Sequence, residues 1–119
     1  MEKAVLLSNI LSVLQKFSSE EFQERVWVKG AGPEFSSYEE ACNQFFDDYL
    51  ANKLIDEEWL SVGLTKLQHD ALAKFRDALE DFNAMTPEIS DPVDILERPE
   101  WPHIRALAKE AVKAFKGLN

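Results

Sequence analysis

One cysteine, Cys42, stands in a chain of 119 residues. No intrachain disulfide can form, and neither a four-cysteine zinc site nor a Cys-x-x-Cys redox pair can be built. That usage fits a reducing cytoplasm. Histidine is nearly as scarce, so general acid or base chemistry near neutral pH would have to begin at His69 or His103. No apolar run approaches the ~18 residues of a membrane span. The stretch Ala4, Val5, Leu6, Leu7 is broken by Ser8 and Asn9, and Glu2 stands where a signal peptide would be basic. Basic residues are outnumbered 13 to 22, leaving a formal charge of −9, a field that repels a phosphate backbone and an anionic membrane surface. Catalytic signatures are missing as well. There is no Gly-x-Ser-x-Gly elbow, no P-loop lysine behind Gly30 and Gly32, and no calcium loop of alternating acids.

What is present has helical periodicity. Length and an ordinary apolar share (45%) indicate one globular domain over residues 1–119. Leu6, Ile10, Val13, Leu14 and Phe17 form an amphipathic stripe over Glu2 to Phe17. Ser18 or Ser19, with Glu20 and Glu21 behind them, start a second, short helix reaching about Val26. Val26 to Val28 also reads as a strand fragment, but no partner strand accompanies it. Gly30 to Pro33 is a loop, and Ser36 with Glu39 or Ser37 with Glu40 gives a capping box for a helix extending to about Ile55. Asp56 is expected to cap a further turn that Gly63 ends.

Thr65 and Gln68 form another capping box ahead of Leu67, Ala71, Phe75, Ala78, Leu79 and Phe82, a stripe running to about Met85. Thr86-Pro87 and Asp91-Pro92 each read as an N-cap followed by a first-turn proline. The last helix runs from Trp101 or Pro102 to a C-cap at Gly117. Four main helices with short helical turns between them give an all-α bundle or irregular helical array. The proline-bearing stretch 86–100 is a candidate crossover returning the last helix to the first.

Among the chemistry-bearing residues, Glu100 and His103 have Glu-x-x-His spacing, but there is no second copy of the pair, and Pro99 and Pro102 disturb the helix between them. No metal or cofactor is therefore expected. His69 falls on the polar side of its helix and reads as solvated surface, while Cys42 sits on the apolar face as a core thiol. The placement of acids is more informative. Between Glu34 and Glu58 there are eight acids and one base, Lys53; the stretch Asp77 to Glu100 has eight acids and one base, Arg98. Neighbours four residues apart offset part of the second cluster's surroundings, as in Lys66 with Asp70 and Arg76 with Glu80.

The first cluster lacks such pairing. Glu40, Asp47, Asp48, Asp56, Glu57 and Glu58, with Trp59 following, are the candidate partner-binding residues, because unpaired like charge costs stability and an aromatic beside charge is a common interface anchor. The bland alternative is a solvated face that keeps the protein soluble. In size, acidity and lack of catalytic parts the chain resembles the small bacterial immunity proteins that neutralise nuclease toxins. That resemblance implies a non-enzymatic cytoplasmic inhibitor whose acidic surface masks a basic toxin domain, with neither nucleic acid nor membrane as partner. A structural or regulatory module acting as a homodimer or adaptor is the other reading, suggested by the breadth of the Tyr38 to Ile55 apolar face. A small metal-binding or enzymatic bundle is the third.

Overall fold

The computed structural model describes residues 3–30, 37–87 and 91–117. Among these residues there are seven helices and no strands. Helix α1 (Lys3–Ser18) buries Ile10, Val13, Leu14 and Phe17, four of the five stripe positions. Ser19 caps α2 by accepting a hydrogen bond from the Phe22 amide at 3.0 Å. This helix begins at Glu20–Phe22 and continues in wider π-helical turns over Gln23–Val28. The stretch open to a strand reading is thus helical.

Helix α3 starts at Tyr38–Asn43 and also widens, over Gln44–Asp48. Ser37 Oγ accepts from the Glu40 amide at 3.0 Å, the expected cap; Ser36 and the Gly30 to Pro33 loop beyond Gly30 lie outside the described residues. The expectation of one helix to Ile55 is corrected at Leu50. Its φ of 49° is left-handed, where an L side chain costs ~1 to 2 kcal/mol, and the chain turns a corner there. Helix α4 resumes at Ala51–Lys53, widens through Leu54–Glu58 and closes as Trp59–Val62. Asp56 is therefore inside a helix and caps nothing. Gly63 ends α4 at φ 92°, a backbone conformation that favours glycine, with the mobile end of the Lys3 side chain lying over it.

The capping box of α5 (Lys66–Met85) is complete: Gln68 N donates to Thr65 Oγ1 at 3.1 Å and Thr65 N to Gln68 Oε1 at 2.9 Å. Thr86 closes α5, its hydroxyl donating to the Phe82 carbonyl at 2.7 Å. A turn after Pro87 would fall largely on 88–90, outside the described residues. Asp91 caps α6 (Pro92–Glu97), accepting from the Val93 amide at 2.9 Å. Helix α7 (Trp101–Lys116) ends at Gly117 as expected.

As the crossover reading requires, α7 packs against both α1 and α5. Ala108 and Ala111 are fully covered on α7, small enough to let its neighbours approach closely. At the centre Phe17 meets Phe75 at 5.2 Å between ring centroids and Trp27 at 6.0 Å, with Phe45, Tyr38 and Trp101 around it. Full burial of each such ring contributes ~1.5 to 3 kcal/mol, so this cluster dominates the core. One polar side chain enters it. Gln23 is completely buried; its amide donates to the carbonyls of Phe17 (2.7 Å) and Lys16 (3.0 Å), and its Oε1 accepts from Trp101 Nε1 (3.0 Å). Arg105 covers the same oxygen and reaches Glu20 at 2.8 Å.

Candidate functional site

Helix α3 buries Tyr38, Ala41 and Phe45, which leaves two polar flanks. On one flank Gln44 accepts a hydrogen bond from Lys16 of α1 at 3.0 Å, and Glu40 and Asp48, spaced four residues to either side, follow that line. On the other, Glu39, Asn43 and Asp47 face α5. Asp47 lines a groove of about 350 Å³ with Phe46, Asn52, Glu80 and Asn83. Asn83 also borders the adjoining groove with Glu39, Asn43 and Tyr38. The candidate acids of α3 are thus divided: Asp47 borders one groove with Glu80 of α5, while Glu40 and Asp48 are exposed on the Gln44 flank.

Asp56, Glu57 and Glu58 lie on the wide turns of α4. Asp56 is held by Arg76 of α5 in a two-pronged pair, Nη2 to Oδ1 at 3.1 Å and Nη1 to Oδ2 at 3.2 Å, with Asn52 Oδ1 also at 3.1 Å from Nη1. The same guanidinium reaches Asp77 at 2.7 Å and Glu80 at 3.5 Å. Partial burial works against its charge, but the hydrogen bonds to Asp56 and Asp77 outweigh that and hold Arg76 above its usual range. Glu58 lies 3.9 Å from Lys53, and Glu57 is exposed. Among the described residues, Glu39, Glu40, Asp47, Asp48 and Glu57 make no ion pair.

Asp77, Glu80 and Glu39 therefore belong to the same surface as Asp47 and Asp56, although sequence spacing assigned Asp77 and Glu80 to an ordinary paired face. Arg76 was legible as a partner of Glu80. Its reach to α4 depends on how α4 and α5 lie together, and no local pattern encodes that.

Trp59 is half-buried against the core and stacks on His69, centroids 4.2 Å apart and planes 28° from parallel. His69 is not solvated surface: 20% of its side chain is exposed, with Nδ1 3.0 Å from Asp70 Oδ1 and Nε2 3.0 Å from the Ile55 carbonyl. The hydrogen bond from His69, then that from Lys66, holds the Asp70 carboxyl below the usual carboxylate range.

The remaining candidates stay apart. Cys42 is half-buried beside Tyr38 and Asn83, and burial pushes its thiol up to about 11, far from a nucleophile's range. Burial likewise raises the Tyr38 phenol, whose hydroxyl donates to Asn83 Oδ1. Glu100 pairs with Arg98 at 3.0 Å while His103 is exposed. No group of three or more His, Cys, Asp and Glu among the described residues is arranged to hold a metal ion. Nor, among those residues, is any helix long and apolar enough to cross a membrane. No protein-family model, curated protein or solved structure matches the chain.

Proposed function

We propose that this protein is a non-enzymatic binding module whose acidic surface captures a basic protein, in its most concrete form an immunity protein that masks the cationic active site of a nuclease-type toxin. One observation carries this reading. Five exposed acids on α3 and α4 make no ion pair among the described residues, and the three that face Arg76 share its one positive charge. Such a field accelerates capture of an oppositely charged protein and disfavours acidic competitors. The breadth of the Tyr38 to Ile55 face, which suggested a homodimer, is accounted for inside the monomer, where Tyr38, Ala41, Phe45, Ala51, Leu54 and Ile55 are all buried. A self-associating module rests instead on Leu60, 73% exposed beside Trp59.

The test is capture from native lysate at low salt, elution with a salt step, and stopped-flow association with the basic protein released. Asp47→Lys together with Glu57→Lys should slow association roughly tenfold or more at low ionic strength. The difference should shrink as salt screens it, with the unfolding midpoint unmoved. Association equally fast at low salt removes these acids from the interface. A mass that doubles with concentration, and is restored to monomer by Leu60→Ser, favours the self-associating module.

A further inference from the structure

We propose that His69 is a proton-operated clasp between α4 and α5, bridging the Ile55 carbonyl and the Asp70 carboxylate only while both ring nitrogens carry hydrogen. The geometry carries the inference. Each nitrogen lies 3.0 Å from an oxygen with no hydrogen to give, a main-chain carbonyl on one side and a carboxylate on the other. A neutral imidazole has one N–H and one lone pair, so in either tautomer a lone pair faces an acceptor. The imidazolium donates to both. Its charge also lies flat against the indole of Trp59, where a cation is attracted by the ring face.

The charged neighbours are few. From α5 they are Asp70 and Lys66, joined at 3.1 Å, with Lys74 and, from α7, Glu110 along the groove that Asp70 borders; from α4, Asp56 is occupied by Arg76 and Glu58 faces Lys53; from α1, Lys3 lies against Gly63 at the end of α4. The carboxylate half of the clasp persists into acid, because a carboxyl held below its usual range contributes stability that is lost only as pH falls through its folded value. The histidine half has the opposite sign: it is present while the ring is protonated and lost as pH rises. Deprotonation frees one side of the ring at the turn that carries Asp56 and Glu57, so the acidic part of α4 is held most firmly on the acid side of neutrality. This inference does not depend on the identity of any partner.

Nitrogen-15 NMR of the His69 ring in the full chain tests it directly, alongside urea unfolding at about pH 5.5 and pH 8, which bracket the ordinary histidine range. Both ring nitrogens should read as protonated at the lower pH, and the Trp59 indole signal should move as one of them loses its proton. Asp70→Asn replaces the acceptor with an amide that can donate to a neutral ring. It should abolish a roughly tenfold pH-linked rise in the unfolding constant, the size expected for one charge-assisted hydrogen bond. Equal pH dependence in the two proteins, or a ring with one bare nitrogen across the whole range, would overturn the clasp.

Discussion

Arg105 and Arg76 are covered to the same degree, each with 12% of its side chain exposed, yet they hold unlike partners. Arg105 closes over the neutral amide oxygen of buried Gln23 and meets one carboxylate, Glu20, so charge is balanced where α1, α2 and α7 join. Arg76 is ringed by Asp56, Asp77 and Glu80, whose side chains are 57%, 66% and 48% exposed. One guanidinium cannot neutralise three carboxylates. It fixes them in place and leaves most of their charge facing water. The first arginine completes an interior joint; the second organises a surface that stays acidic, a costly arrangement for stability alone and a useful one for recognition.

The interior joint should be the easier one to break. In Gln23→Leu the volume is kept, but the Trp101 indole N–H, Arg105 and the Phe17 carbonyl lose their partner in a sealed site. Stranding several buried polar groups makes a loss of ~3 kcal/mol the expected outcome of urea unfolding. A loss under ~1 kcal/mol would mean that water replaces the amide and the joint is not sealed.

Arg76→Met probes the other side of the comparison and should cost less, ~1 kcal/mol, because its partners are already solvated. The substitution also removes the cation that Asp56, Asp77 and Glu80 share. Association with a basic partner should therefore become faster at low salt even as the fold weakens. Slower association would show that Arg76 positions Asp56 for contact and that position outweighs charge.

Much of this architecture is legible in the sequence because it is local. Caps at Ser19, Ser37, Thr65 and Asp91 form where hydroxyl or carboxylate spacing places them, and the stripes of α1 and α5 turn inward as their periodicity requires, except at Leu67, which is 51% exposed in the first turn of α5 while Leu72 is buried. The site was less legible because it is assembled across helices. Asp47 and Glu80 meet only once α3 lies beside α5, and His69 looks polar on its own helix until Trp59 covers it. Gln23 did carry a local signal, a polar residue in register with Val26 and Trp27 on the inner side of α2, but its four partners come from two other helices, α1 and α7.

Leu50 is the sharpest departure from periodicity, and its effect can be tested by sign. An unbroken apolar pattern runs through it, yet it is left-handed and 52% exposed between α3 and α4. Were residue 50 helical, alanine there would be more stable than glycine by ~1 kcal/mol. In the left-handed conformation the order reverses. Glycine escapes the Cβ clash that alanine suffers, and Leu50→Gly should exceed Leu50→Ala by ~0.5 to 1 kcal/mol once glycine's greater unfolded-state entropy is set against that relief. Both variants lose the same half-exposed side chain, so packing largely cancels in the difference. Alanine proving the more stable would restore a continuous helix through residue 50. The corner that sends α4 across toward α5 would then be gone, and with it the reason Asp56 meets Arg76.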